Sequence, residues 1–377
     1  METQYLTSST MHSMPLVQID RAWRHVIATL GLFLALCGAD ASAQALASKT
    51  TSTPATLKLR IVGGLAGLNQ YTHNEEPFWT RELAQLSHGK YNAEILPFDR
   101  AGLPGNDMLR LLQLGVVPFG TMLQSSLLAQ YPQYAANDLA GLNPDMPSLR
   151  KVVTAFRPYI DAQLRTKHNI QMLALYVYPA QVLYCKAAFG KFEDLRGRRV
   201  RVSSLSQSDF VKALGAQPVI TGFAQIMVNM NSGNIDCAIT GTMSGNTMGL
   251  HEVTTHIHTL PITWGLAIFG ANKDAWDNLP PDLKALLSHE LPKLETAIWT
   301  ESERETADGL ACNIGSPDCR SGRKGQMTKV VLSDSDAQLA RNIFSTVVLP
   351  RWLARCGVTC SELWNLTIGP ATGLVAK

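Results

Sequence analysis

Between residues 57 and 115 the chain alternates short β-type runs with helical ones, and few folds accept that alternation. Leu57-Lys58-Leu59-Arg60-Ile61-Val62 places apolar side chains at every second position and then enters Gly63-Gly64. That is the pattern of a strand with one face in a core, closed by a glycine turn. A helix is expected across Glu75 to Leu86, with Phe78, Leu83 and Leu86 as its apolar contacts, and His88-Gly89-Lys90 stops it. Tyr91 to Leu96 follows as a second strand, and residues 104–114 as a second helix that ends at Gly115. Strand, helix, strand in this order predicts a parallel sheet covered by helices.

Farther along, Ile170 to Val177 is another apolar strand, and it carries the chain out of a first lobe near Tyr178-Pro179. Strands at Val182–Tyr184, Val200–Val202 and Ile235–Thr240 build a second lobe, and Trp264 to Gly270 returns the chain to the first. The expected division is residues 57–178 with about 266–308 in one lobe, and about 179–265 with 309–370 in the other. Repeated crossings of this kind make a hinge. Pro280-Pro281-Asp282 is a strong helix start, with proline in the first turn and an acid near the positive end of the dipole. Apolar spacing continues through Leu283, Leu287, Leu291, Leu294 and Ile298 to about Leu310, but Pro292 predicts a kink or break near His289. Asp334 to Leu353 reads as one further helix packed on the core.

The N-terminus carries Arg21 and Arg24, then the apolar run Val26 to Leu36, then Ala41-Ser42-Ala43 before Gln44. Positive charge, a short apolar run and an A-x-A site form a secretory signal over residues 1–43. The segment before Arg21 is long for such a signal and fits a start at Met11 or Met14. Cys37 invites a lipoprotein reading, but bulky Leu36 stands where that motif wants a small residue. Loss of residues 1–43 removes two arginines and three acids and leaves a net charge of +4, scattered and without a basic block suited to nucleic acid. Six cysteines remain, in a compartment that permits disulfides. Cys312 and Cys319 bracket a turn-rich loop, as do Cys356 and Cys360, and cross-pairing among these four is equally legal. Cys185 and Cys237 fall in predicted strands and are expected as buried thiols.

The most specific pattern lies between Phe192 and Glu252. Asp194-Leu195-Arg196-Gly197-Arg198-Arg199-Val200-Arg201-Val202 is followed by Leu214-Gly215-Ala216-Gln217-Pro218-Val219, and then by Met230-Asn231-Ser232-Gly233-Asn234-Ile235-Asp236. These three blocks, in this order, resemble the solute receptors of TRAP transporters (DctP type). The resemblance implies an α/β, two-lobed periplasmic binding protein fold, with a ligand cleft between the lobes and a long helix spanning them. It implies that the arginine of the first block, Arg201, forms a salt bridge with the carboxylate of an organic acid. Strand alternation independently turns Arg201 away from Val200 and Val202, and a guanidinium can take a carboxylate through two parallel hydrogen bonds.

Carried over position by position, Phe223 matches an aromatic under the ligand and Thr240 a residue facing the carboxylate. Gln181 falls near the place of a second arginine, and Pro118 departs from a common aspartate. One cationic anchor instead of two argues for a monocarboxylate. Trp264, Tyr71, His73 and Gln124 are candidate cleft walls, and a flat indole at Trp264 would favour a cyclic acid. The resemblance further implies delivery to TRAP membrane permease subunits, a periplasmic location, a monomer and no cofactor. Its rivals are a sensor of the same fold and an exported enzyme.

Enzyme chemistry has little to stand on. His251 and His256 are five apart, one residue too far for a zinc pair on one helix face. His256 and His258 could share a strand face but lack an evident third ligand. Gly241-Thr242-Met243-Ser244-Gly245 is one position out of register for a nucleophile elbow. No phosphate-binding glycine loop occurs.

Overall fold

The computed structural model describes residues 57–376. The signal assigned to residues 1–43 lies outside them. Its strands are β1 (Leu57–Gly63), β2 (Tyr91–Pro97), β3 (Phe119–Leu123), β4 (Ile170–Val177) and β5 (Gln181–Cys185). Then come β6 (Arg199–Val202), β7 (Gln217–Ile220), β8 (Cys237–Gly241), β9 (His256–His258), β10 (Leu266–Asn272) and β11 (Thr328–Val330).

They form two mixed sheets. The first has the order β2-β1-β3-β10-β4, with β1 parallel to β2 and β3, and β10 antiparallel to β3 and β4. The second has the order β11-β9-β5-β8-β6-β7, with β6 parallel to β7 and β8, and β5 antiparallel to β8 and β9. Leu59 and Ile61 of β1 face the core while Lys58 and Arg60 stay outside it, as the alternation predicts.

The chain passes between the sheets at Tyr178–Ala180 and again after β9. These two passages pair with each other. Tyr178 N donates to Gly265 O at 3.0 Å, Gln181 N to Thr263 O at 2.8 Å, and Ile262 N to Gln181 O at 2.9 Å. A pair of extended segments joined edge to edge can bend with little loss of contact, which suits a hinge.

A single helix of 33 residues, Pro281–Asn313, then lies along both sheets. Trp299 Nε1 and Ser302 Oγ donate to Leu175 O and Val177 O of β4 at 2.7 and 2.6 Å. One turn later, Thr306 Oγ1 accepts from Ala180 N at 3.0 Å, and Asn313 Nδ2 donates to Thr242 O at 2.9 Å beside β8. The helix approaches the helix Thr242–Met248 closely at Gly309, where a Cβ would stand 2.2 Å from Met243 N.

Four expectations need correction. The break near His289 does not occur: the helix runs through Pro292, whose exposed position lets water hydrate the carbonyl that loses its donor. The helix expected over Glu75–Leu86 begins at Gln70 and contains the π-wound turns Gln70–Glu75 and Phe78–Glu82. Those wider turns rotate its end, so Phe78 and Leu83 are buried but Leu86 is exposed. Asp334–Ile343, Phe344–Val348 and Leu349–Cys356 follow one another without a gap, so the C-terminal helical segment extends past Leu353.

The fourth concerns Cys185 and Cys237, which are a disulfide and not thiols. They sit directly opposite one another on antiparallel β5 and β8, with Cα atoms 4.1 Å apart. Cys312–Cys319 and Cys356–Cys360 pair locally, and this selects one of the three connectivities open to those four residues.

Candidate functional site

A cleft of about 690 Å³ opens between the two sheets. Its walls come from the segments that follow strand C-termini: Leu65 and Leu68 after β1, Phe98 and Asp99 after β2, Ser125 after β3, Ser203 after β6, and Thr221 and Phe223 after β7. Open α/β sheets bind ligands at the carboxyl ends of their strands.

Among the described residues, Arg201 is the one basic residue of the cleft lining and Asp99 the one acid. Val200 and Val202 are fully buried on the opposite face of β6, which leaves the Arg201 side chain directed to the cleft. Arg201 is itself only 3% exposed. Its Nε donates to Thr221 O at 3.0 Å and its Nη1 to Ile239 O at 2.8 Å. Two backbone carbonyls therefore fix the plane of the guanidinium, and no carboxylate among the described residues pairs with it. Burial without an opposing charge lowers its pKa to about 9, still protonated at neutral pH. An unpaired buried charge costs several kcal/mol, and an incoming anion would remove that cost. The neighbouring Arg199 differs: it is locked by both oxygens of Asp236 at 2.7 and 3.0 Å, so Asp236 orders the strand end.

The cleft brings Arg201 together with Gln181, Thr240 and Phe223. Thr240 lies on β8, two residues beyond Ala238, which is the register partner of Arg201. Gln181 Oε1 accepts from Gln207 Nε2 at 2.7 Å and from Thr263 Oγ1 at 3.1 Å. This fixes which end of its amide is the donor. The Nε2 lies against Gly265, within 2.4 Å of where a Cβ would stand, and φ at Gly265 is +76°. Only glycine fits there, on both counts.

The other four candidates fall elsewhere. Gln124 lines a small polar recess beside the cleft, with Nε2 bonded to Tyr134 O at 2.9 Å. Trp264 is 2% exposed in the core, its indole donating to Asn143 O at 3.0 Å, so it presents no ring face to the cleft. Tyr71 is buried in the core of the first sheet with Leu59, Ile61 and Ile95. His73 is exposed and bonded to Glu301 at 2.9 Å. His258 is buried against Phe192, with rings 4.6 Å apart, and takes a hydrogen bond from Leu260 N.

Sequence reasoning missed Leu65, Phe98, Asp99, Ser125 and Ser203 as lining residues. Leu65, Phe98, Asp99 and Ser203 follow strands that the sequence does reveal, so the strand-end rule would have found them; Ser125 follows β3, whose Phe119-Gly120-Thr121-Met122-Leu123 run has no clean alternation.

These features define a two-lobed receptor fold with an electropositive anchor in its cleft. Residues 62–311 match the family described as bacterial extracellular solute-binding protein, family 7 (DctP), and the chain belongs to it. Solved structures agree in fold. A Bordetella pertussis extracytoplasmic solute receptor that binds pyroglutamic acid aligns with TM-score 0.72 and 22% identity, over 82% of this chain and 98% of that one. A TRAP periplasmic solute binding protein from Desulfovibrio salexigens, with bound orotic acid, aligns with TM-score 0.73 and 16% identity, over 84% and 99%. One from Ralstonia eutropha, with bound (S)-2-acetolactate, aligns with TM-score 0.71 and 18% identity, over 84% and 98%. The family is one of solute-binding proteins, and no helix among the described residues is long and apolar enough to cross a membrane.

Proposed function

We propose that this protein is the periplasmic receptor of a TRAP transporter, that it binds a monocarboxylate through Arg201, and that it hands the acid to membrane permease subunits unchanged. The observation that carries this reading is the buried guanidinium: oriented by two carbonyls, open to the cleft, and without an acidic partner. A carboxylate docked there gains charge-assisted hydrogen bonds in a site already stripped of much of its water. Gln181 Nε2 and the Thr240 hydroxyl add neutral donors on the same wall.

Asp99 decides between one carboxylate and two. A second carboxylate reaching across the cleft would find no second cation in the lining and would meet an acid instead. The bound acid therefore has a neutral remainder, which Leu65, Leu68, Phe98 and Phe223 can cover. Pyroglutamate, orotate and acetolactate, the ligands of the similar receptors, each carry a single carboxylate.

A thermal-shift screen of the mature protein against mono- and dicarboxylates tests the reading. A ligand that binds only the folded state raises the melting temperature by an amount set by its concentration over Kd. Shifts with monocarboxylates, and smaller or no shifts with dicarboxylates, are expected. A panel with no shift at all would remove the assignment of Arg201 to a carboxylate.

A further inference from the structure

Beside the anchor the cleft continues into a recess of about 20 Å³, lined by Gln124, Asp138, Gln181, Ser203, Gln207 and Thr263 among others. Gln181, Ser203, Ser204 and Gly265 line both spaces, so the recess opens from the cleft and is not a separate cavity. Ser203 stands two residues beyond Arg201 on the same strand run, which places the opening next to the guanidinium. The volume holds one water-sized group.

The polar atoms of the recess are unequally satisfied. Gln207 spends its Nε2 on Gln181 and Thr263 and its Oε1 on Ser203 N at 2.8 Å. Gln124 is only 1% exposed, and the bond from its Nε2 to Tyr134 O fixes its orientation. Its Oε1 is buried without any partner. Asp138 accepts from Trp264 N at 3.0 Å and Gly265 N at 2.8 Å, and no basic side chain lines the recess with it. A carboxylate has about four acceptor sites, so capacity remains. Burial raises the pKa of Asp138 to about 7, as expected for an acid held by backbone N–H groups alone. The lining also offers the hydroxyls of Ser125, Ser204 and Ser206, but Gln124 Oε1 has no partner among the described residues, and Asp138 beside it keeps acceptor capacity.

We infer that the recess is a specificity subsite for a hydrogen-bond donor on the carbon next to the ligand's carboxylate: an amino or ring N–H group, or a hydroxyl, received by Gln124 Oε1 and Asp138. The inference rests on Arg201 holding the carboxylate, and it narrows the ligand to 2-amino, 2-imino or 2-hydroxy acids. An acid without such a donor leaves Gln124 Oε1 unsatisfied, and a buried acceptor without a partner is costly.

Calorimetric titration of the mature protein with matched pairs tests this: pyrrolidine-2-carboxylate against cyclopentanecarboxylate, and 2-hydroxypropanoate against propanoate. The donor-bearing member of at least one pair should bind about tenfold tighter or more. Which pair responds tells N–H from O–H. In Asp138→Asn and Gln124→Met that ratio should fall to about threefold or less. Equal binding within both pairs would overturn the subsite and leave the recess to a water, with the Arg201 reading intact. A preference that survives in both variants would likewise place the donor elsewhere. Failure of all four acids to bind would strike the anchor itself. The wild-type comparison stands even if a variant fails to fold.

Discussion

Arg201 and Glu75, two buried ionisable groups without counter-charges, frame the chemistry at the residue scale. Glu75 is fully buried. Its carboxylate accepts from Gly64 N at 3.0 Å, Gln70 Nε2 at 2.9 Å and Thr121 Oγ1 at 3.3 Å, all neutral donors. Burial therefore wins over those bonds and raises its pKa from 4.5 to about 7. The folded state then holds a proton between these values that the unfolded chain has released. Its contribution to stability is full below pH 4.5 and is lost as pH rises through about 7. Glu75→Gln should flatten that decline, by as much as about 3 kcal/mol between pH 5 and 8, in denaturant unfolding at both pH values. Asp138 and Glu305 carry shifts of the same sign, so part of the slope remains in the variant. A wild-type slope preserved in Glu75→Gln would contradict the assignment. Arg201 was legible in sequence because its motif is local and its strand alternates. Trp264 was not, because it precedes β10 in a crossing segment with no regular period to tell which way an indole points.

Elements decide where the lobes meet. Strands β1, β2, β4, β5, β6, β8 and β10 were legible from their apolar runs, but β3, β7, β9 and β11 were not, and the ends of β3 and β7 also build the cleft. The disulfide Cys185–Cys237 was not, since it depends on the register of β5 against β8 across a separation of 52 residues. The long helix was legible in its proline start and leucine spacing. Pro292 misled because a proline on the water side can be accommodated without ending a helix that is held elsewhere by packing and by Trp299, Ser302 and Thr306. That helix ties the first sheet to the helix Thr242–Met248, and Gly309 is the point of closest approach. A methyl group added there meets backbone, which cannot swing aside as a side chain can. Gly309→Ala should therefore destabilise the fold by about 1–3 kcal/mol despite the better helix propensity of alanine. A melting temperature equal to or above wild type would show that the two helices are not packed this closely.

For the whole molecule, two sheets share one cleft, and the chain crosses between them at paired segments next to the anchor. Asp138 fastens one crossing at Trp264 and Gly265, and Gln181 begins the other. Gln181 and Gly265 of these segments line the cleft with Arg201, so under the proposed reading the ligand would lie beside the segments that closure must bend. Closure would further dry the anchor and strengthen the pair that it encloses. The central claim is that Arg201 holds the carboxylate, and calorimetric titration of wild type and Arg201→Met with one monocarboxylate that binds wild type tests it most directly. Loss of one member of a buried, hydrogen-bonded charge pair should weaken binding about a hundredfold or more. The ligand-free variant should melt no lower than wild type, because an uncompensated buried charge has gone. Equal affinity in the two proteins would contradict the account.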